Sequence, residues 1–497
     1  MYKLDFGNSV EEIEDIKLNK KLKVATVFSG IGAIEHALKR MEIEHEIVFA
    51  CDNGDVDILS KKIKTNTTAE LKEEIELLGK ENINKEISEE YITLKNEIEQ
   101  LMEENLNEKK LKKILKEYNA KLSMFYEKIR TLYIKNQIKN LSYEEKKKYI
   151  DNLYKKEIAR NKVRQSYFAN YNIKEEDFHW NVSFLDGKQY RGKVDLFVGG
   201  SPCQSFSLVG KQRGLQDTRG TLFYEFARLV EEIKPKVFIY ENVRAVLGND
   251  GGRTWEIMKQ VFSDLGYDWD HKILNSKDYG VPQNRERVFV VGFRKDLKLR
   301  KKFTFPDPVK LEKTMQDFLI ENVSGKYYLR EKGANFVLSE KNLIKRFTQI
   351  DGDIQLCQKK NQQFNWHGDF KFVEDSKVKE ETMQDLEKYF LSEKIMKYVM
   401  STGTKGFCSK PKTDLEIARP LLKTMHKMHR AGVDNYVTTE GRLRKLTPRE
   451  CLRLMGFCDS FKIVVSDTSM YQQAGNSIVV DVLIAIMKKI INSYDFK

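Results

Sequence analysis

The chain has 497 residues, of which 40% are hydrophobic and 32% charged, and its formal net charge is +13. This length allows two or three domains with full cores, and no apolar run is long enough to span a membrane. The six cysteines are scattered without a CxxC pair, which argues against a zinc site and a disulfide framework.

The predicted elements begin with a βαβ unit over residues 21–50. A short apolar strand, Lys23 to Phe28, leads into the tight turn Ser29-Gly30-Ile31-Gly32, and a helix follows from Ala33 to Met41. The glycines let the backbone approach a ligand that the helix N-terminus faces, although the third glycine of the dinucleotide fingerprint is missing. Asp52, just after the second strand, is a candidate acceptor for ribose hydroxyls or, equally, a helix N-cap.

From Asp57 to Gln165 the pattern changes to long amphipathic helices without proline. Apolar residues recur at steps of four and three, with a break near Asn105-Leu106-Asn107. We predict two or more long helices in an antiparallel hairpin. The part before Lys109 has twice as many acidic as basic residues, and the part after it has three times as many basic as acidic ones. We favour charge complementarity between the two arms over a DNA- or partner-binding arm.

A second βα alternation starts at Val194 with an apolar strand that leads into Gly199-Gly200 and then Ser201-Pro202-Cys203-Gln204. This order predicts the C-terminal end of a buried parallel strand, where α/β proteins place ligands. Cys203 is therefore a candidate nucleophile, although a lone cysteine is as often a buried structural residue.

Two further polar segments lie next to predicted strands. Glu241-Asn242-Val243 follows the strand Val237 to Tyr240, and Gln283-Asn284-Arg285-Glu286-Arg287 precedes the strand Val288 to Val291. Arginines at positions i and i+2 can face the same side of an extended chain. A thiol, a carboxylate and fixed arginines near a glycine-rich turn form a set with catalytic potential.

Taken in order, these blocks resemble the DNA (cytosine-5) methyltransferases, especially the compact bacterial enzymes of restriction–modification systems. The matching segments are Phe28 to Gly32, Gly199 to Ser207, Asp217 to Phe223, Glu241 to Val243, Gln283 to Arg287, Arg444 to Cys451, and Gly475 to Ser477. The resemblance implies an α/β fold: a Rossmann-like S-adenosylmethionine-dependent methyltransferase fold with a long helical insertion and a smaller target-recognition domain.

We accordingly divide the chain into five segments. Residues 1–56 start the catalytic domain with its cofactor loop, 57–165 are a helical, coiled-coil-like insertion, and 166–300 continue the catalytic domain. Residues 301–440 are the target-recognition domain, and 441–497 return to the catalytic domain. The resemblance does not cover the insertion and covers the recognition segment only loosely.

The resemblance implies catalysis by Cys203, whose thiolate would add to carbon 6 of cytosine and make carbon 5 nucleophilic. Glu241 would bind the N3 edge, and Arg287, together with Arg285, would hold the O2 side. Because the reacting base is inaccessible in a duplex, it would be flipped out of the stack. No metal is required.

The cofactor implied by the resemblance is S-adenosylmethionine. Its pocket would comprise Phe28, Gly30, Ile31, Gly32, Asp52, Asn181, Pro202, Leu222, Asn476 and Ser477. Asn181, in Trp180-Asn181-Val182, departs from the family pattern, which has Asp after Gly near the third strand. Its side-chain carbonyl can accept the adenine amino group in place of the carboxylate.

The implied partner is double-stranded DNA, contacted by Gln204, Ser207, Arg219, Lys423 and Thr424. A solvated surface charge is the plainer interpretation of each single basic residue near Thr424. The net charge of +13 agrees with a nucleic-acid partner, but an AT-rich genome rich in lysine codons accounts for it equally well.

We further expect a cytoplasmic bacterial monomer without membrane association, paired with a restriction endonuclease that acts on the same site. Two alternatives remain open for the function. One is cytosine-5 methylation of tRNA, and the other is a catalytically inactive DNA-binding regulator.

Overall fold

The structure is a computed structural model that describes residues 18, 20–81, 87–103, 107–202, 222–320, 323, 325–329, 331–374, 441–445 and 447–496. Its main sheet comprises β1 (Leu22–Val27), β2 (His45–Cys51), β3 (Phe178–His179), β4 (Leu196–Gly199), β5 (Val237–Val243), β6 (Tyr267–Asn275) and β7 (Glu286–Arg294). The strand order is β3-β2-β1-β4-β5-β7-β6, and β7 runs antiparallel to both of its neighbours while the other pairs are parallel. This arrangement confirms the predicted α/β, Rossmann-like fold.

Helices cover both faces of this sheet. The helices described are α1 (Ala33–Arg40), α2 (Thr68–Gly79), α3 (Ser88–Glu103), α4 (Glu108–Ile138), α5 (Tyr143–Tyr154), α6 (Lys162–Asn170), α7 (Leu222–Ile233), α8 (Arg253–Asp264), α9 (Glu331–Val337), α10 (Glu340–Ile344), α11 (Gln362–Asn365), α12 (Pro448–Arg453), α13 (Asp467–Asn476) and α14 (Val480–Ser493). Among the described residues, no helix combines the length and the apolar character needed to cross a bilayer.

The central strands are apolar on both faces because each face is covered by helices. Alternate strand residues such as Val24 and Ile239 pack with α1, α12, α13 and α14 on one face. Their neighbours, such as Ala25 and Phe238, pack with α7 and α8 on the other face. The first face unites distant parts of the chain, since Arg40 of α1 binds Asp481 of α14 at 2.9 Å.

The insertion contains the predicted antiparallel hairpin, formed by α3 and α4. Lys121 lies 3.0 Å from Glu97, and Lys128 lies 2.6 Å from Glu90, so the helices run in opposite directions. These pairs join the acidic arm to the basic arm, as charge complementarity predicts. With α2, the hairpin encloses its own apolar core, separate from the two cores of the main sheet.

The base of the insertion comprises the end of α4, α5 and the residues up to the start of α6. It is attached to the main sheet domain by polar contacts. Lys135 of α4 forms an ion pair with Glu225 of α7 at 2.8 Å. Lys146 of α5 pairs with Asp186 at the same distance, and the adjacent Tyr143 hydroxyl bonds that of Tyr190 at 2.5 Å. The helix α5 therefore has a fixed position beside the sheet.

A second, three-stranded sheet has the order β10-β9-β8, formed by β8 (Thr348–Ile350), β9 (Gly368–Glu374) and β10 (Gly441–Lys445). Two of its strands, β8 and β9, lie within residues 301–440, and β10 follows directly after them. A capping box formed by Thr447 and Glu450 begins α12, and Pro448 occupies its first turn.

Candidate active site

Glycines and polar side chains gather at the carboxyl edge of the main sheet, where five strands end. The turn Phe28–Gly32 follows β1, Asp52 follows β2, Asn181 lies just after β3, and Gly200 follows β4. Glu241 lies near the end of β5. This is the edge at which open α/β sheets bind ligands, and the sequence places these residues there because each directly follows or ends an apolar strand.

The turn after β1 has an unusual backbone conformation. Phe28, Gly30 and Gly32 have φ angles of 53°, 54° and 74°, a region in which glycine is favoured. At Gly32 a Cβ atom would lie 2.3 Å from the ring of Tyr171. The Tyr171 hydroxyl lies 2.9 Å from the carbonyl oxygen of Ile31 and 2.7 Å from that of Gly32. The turn therefore has a backbone conformation that favours glycine, and the side chain of Tyr171, which follows α6, holds it in place.

Asp52 is bound directly to this turn. Its Oδ2 accepts a hydrogen bond from the Gly30 amide at 2.9 Å, and its Oδ1 accepts one from the Gly54 amide at 2.7 Å. Burial raises the pKa of the Asp52 carboxyl, although these two amides favour the charged form. A carboxylate has about four lone-pair positions, so oxygen positions remain for ligand hydroxyl groups.

Glu241 and Arg287 form an ion pair at the end of β5, with Arg287 Nε 3.1 Å from Glu241 Oε1. In the antiparallel register Glu241 lies opposite Phe289, so Arg287 is its diagonal neighbour on the same face. Only 13% of the Glu241 side chain is exposed. Burial raises the pKa of Glu241, and the charges of Arg287 and Arg285 partly oppose that rise. Such a carboxyl group can donate a proton as well as accept one.

The end of β4 approaches this ion pair closely. A Cβ atom at Gly200 would lie 2.8 Å from the carbonyl oxygen of Glu241 and 3.0 Å from its Oε2. The next residue, Ser201, is fixed by a 2.7 Å hydrogen bond between its hydroxyl and that of Tyr240. Asn242 also donates to the carbonyl oxygen of Ser201 at 3.2 Å. Only glycine therefore fits at position 200, immediately beside Glu241.

Arg285 has contacts that differ from those of Arg287. It is 3% exposed and donates to the carbonyl oxygens of Gln358 at 2.9 Å, Gly475 at 3.1 Å and Ser477 at 2.9 Å. Burial, reinforced by the charge of Arg287, lowers the pKa of Arg285 to about 10. These bonds make Arg285 a clamp that connects the start of β7 to the loop at Gln358 and to the C-terminal end of α13.

The remaining predicted residues are found as follows. Asn181 accepts a hydrogen bond from the Ser183 amide at 2.9 Å, Leu222 begins α7, Pro202 is exposed, and Asn476 and Ser477 end α13. Cys203, Gln204, Ser207, Arg219, Lys423 and Thr424 lie outside the described residues. Within the described part of the chain, no three His, Cys, Asp or Glu side chains are grouped so that they could hold a metal ion.

Two residues that contact the carboxyl edge of the main sheet were not predicted from the sequence. Tyr171 is one, and Asn161, which donates to the Asp52 carbonyl oxygen at 3.0 Å, is another. The available signal was the residue type, since asparagine is a favoured N-cap and Asn161 is the N-cap of α6. That signal predicts a helix start but not the tertiary contact.

The sheet order and the groups at its carboxyl edge are those of a Rossmann-like α/β fold with a ligand site at that edge. A family model, C-5 cytosine-specific DNA methylase, matches residues 137–492. The chain belongs to this family and is a DNA (cytosine-5) methyltransferase.

Bacterial and phage methyltransferases are similar to the chain over most of their length. The type II methyltransferase M.SsoII of Shigella sonnei is 33% identical over 342 residues, which are 67% of this chain and 72% of that protein. The orphan methyltransferase M.SPRI of Bacillus phage SPR is 31% identical, with 66% and 90% covered. The type II methyltransferase M.HhaI of Haemophilus parahaemolyticus is 33% identical, with 61% and 77% covered.

Proposed function

We propose that the protein transfers a methyl group from S-adenosylmethionine to carbon 5 of a flipped-out cytosine in a specific duplex DNA site, with Cys203 as the nucleophile. The observation that carries this proposal is the Glu241–Arg287 ion pair, which is largely shielded from solvent and lies against Gly200 at the strand end that leads to Cys203. The turn at Gly30 and the carboxylate of Asp52 lie along the same sheet edge.

In the proposed reaction the Cys203 thiolate forms a bond to carbon 6 of cytosine, and the ring electrons move toward carbon 5. The pKa of Glu241 is raised by burial, so its carboxyl group can donate a hydrogen bond or a proton to N3 as negative charge builds on the ring. Arg287 holds Glu241 and presents its guanidinium to the O2 side. After methylation the proton on carbon 5 leaves, the carbon 6–sulfur bond breaks, and aromaticity returns.

The residues at the sheet edge fit S-adenosylmethionine, which would supply an electrophilic methyl group. Asp52 is partly buried and keeps oxygen positions for the ribose hydroxyls, while Gly30 leaves open space where a side chain would stand. The proposed pocket is completed by Phe28, Ile31, Gly32, Asn181, Pro202, Leu222, Asn476 and Ser477.

For DNA we propose phosphate and base contacts by Gln204, Ser207, Arg219, Lys423 and Thr424, with sequence recognition by residues 301–440. We also propose a monomer in the bacterial cytoplasm, serving as the modification arm of a restriction–modification system. Type II enzymes among its relatives support that role. Bisulfite sequencing of DNA from cells that express the chain identifies the methylated site, and an unmethylated genome would contradict DNA as the substrate.

Covalent trapping tests the mechanism. Duplex DNA with 5-fluorocytosine at the target site should form a stable adduct in the presence of S-adenosylmethionine, because fluorine on carbon 5 cannot leave as a proton does. Cys203→Ser should form no adduct and lose turnover, yet bind S-adenosylhomocysteine with near-normal affinity. Near-normal turnover in this variant would contradict Cys203 as the nucleophile.

A further inference from the structure

The base of the insertion contacts two of the proposed cofactor residues, in each case through a side chain that is almost completely buried. Tyr154, at the end of α5, is 1% exposed, and Asn161, just before α6, is 0% exposed. Both lie within the predicted insertion, in the stretch of it that the family model also covers. Their partners are Asn181 and Asp52, which follow the neighbouring strands β3 and β2.

Tyr154 determines the orientation of the Asn181 amide. The Ser183 amide donates to Asn181 Oδ1 at 2.9 Å, so the other end of the amide is the NH₂ group. That group donates to the Tyr154 hydroxyl at 3.2 Å. The Tyr154 ring is itself fixed, because it stacks on Trp180 with ring centroids 5.0 Å apart and 8° between the planes. The second lone pair of Asn181 Oδ1 is thereby kept in one direction.

Asn161 acts in the same way on Asp52. Its NH₂ group donates to the Asp52 carbonyl oxygen at 3.0 Å, and its Oδ1 accepts from the Arg164 amide at 2.8 Å. It also fills the tight turn after Asp52, since a Cβ atom at Gly54 would lie 2.0 Å from Asn161 Oδ1. The carboxylate of Asp52 is held by Gly30 and Gly54, and its backbone is held by Asn161.

We propose that the helical insertion completes the cofactor site, with Tyr154 and Asn161 as positioning residues for Asn181 and Asp52. The inference rests on the proposed function, since Asn181 and Asp52 contact adenine and ribose only under it. Tyr154 supports recognition of the adenine amino group through Asn181. Asn161 supports recognition of the ribose through Asp52, independently of the base.

Two conservative variants separate these roles. Tyr154→Phe keeps the stacking on Trp180 and removes the hydroxyl group. It should weaken S-adenosylhomocysteine binding about three- to tenfold, the effect of one lost hydrogen bond. It should also reduce the preference for S-adenosylhomocysteine over S-inosylhomocysteine, in which the amino group is replaced by oxygen. Calorimetry measures both affinities.

Asn161→Ser keeps the N-cap of α6 and removes the donor to Asp52. It should weaken S-adenosylhomocysteine binding to a similar extent and leave the preference between the two nucleosides unchanged. In both variants the KM for S-adenosylmethionine should rise, while kcat at saturating cofactor and the KM for DNA stay at their wild-type values. Tyr149→Phe is the matched control, because Tyr149 packs on the same apolar cluster from the same helix.

Wild-type affinity in both variants, or equal losses in the Tyr149→Phe control, would overturn the inference. So would a fall in kcat with unchanged cofactor affinity. Failure of the wild-type protein to bind S-adenosylhomocysteine is a different result, because it would contradict the proposed function itself.

Discussion

At the scale of single residues, the contact between Glu241 and Arg287 depends on the direction of β7. Because β7 runs antiparallel to β5, Arg287 at its start lies beside Glu241 near the end of β5. Arg285 lies only two positions before Arg287, but its guanidinium binds other segments. Its acceptors belong to the loop at Gln358 and to the C-terminal end of α13, at Gly475 and Ser477.

Glu241→Gln should lower kcat about 10²- to 10⁴-fold, because glutamine keeps a hydrogen-bonding group but cannot transfer a proton. S-adenosylhomocysteine binding should be unaffected and serves as the control. A loss of less than tenfold would contradict proton donation by Glu241.

The pH dependence of kcat gives a second measurement on this residue. The raised pKa of Glu241 keeps its carboxyl group protonated to a higher pH than usual, so the active fraction falls as pH rises through that pKa. The wild-type profile should therefore decline on its alkaline side. This decline should be absent from the residual activity of Glu241→Gln.

At the scale of elements, the strands β1, β2, β4, β5 and β7 followed from their apolar patterns, whereas β3, β6 and the connections between segments did not. The predicted strand Val288 to Val291 is the centre of β7. The strand β6 was not predicted because apolar and polar residues do not alternate regularly along it. Many residues of this edge strand, including Asp268 and Lys272, are polar and exposed. The apolar signal of β6 is weak because most of its side chains are exposed or only partly buried.

Arg285→Met should destabilise the fold by about 3 kcal/mol or more, since three buried carbonyl oxygens lose a charged donor. Urea unfolding of the full chain measures the change. Arg244→Met is the control, because the Arg244 side chain is 61% exposed in its ion pair with Glu286. Its loss should lower the free energy of unfolding by less than about 1 kcal/mol. Equal stability of the two variants would show that Arg285 is not a clamp.

At the scale of the whole molecule, the insertion divides into a separate helical arm, formed by α2, α3 and most of α4, and a base that contacts the main sheet domain. The arm leaves and returns at one place, where Arg130 donates to the Leu59 carbonyl oxygen at 3.1 Å. Its apolar core is distinct from the cluster around Tyr154 and Trp180. The sequence predicted the hairpin from its heptad pattern, but that pattern carries no information on where the base attaches.

Replacing residues 62–129 with a short Gly-Ser linker should therefore preserve S-adenosylhomocysteine binding within about threefold, since Tyr154 and Asn161 remain. A larger loss would show that the arm itself supports the pocket. Calorimetry of the shortened chain beside the full-length protein makes the comparison.

The ion pair between Arg40 and Asp481 has a consequence for biosynthesis. The apolar face of α1 is covered by α14, and the His36 ring accepts a hydrogen bond from the Cys458 amide at 3.0 Å. A ribosome therefore releases the first strand and helix long before their partners exist. Until α14 is translated, β1 and α1 keep an uncovered apolar face, and a nascent chain cannot methylate DNA before α14 has been made.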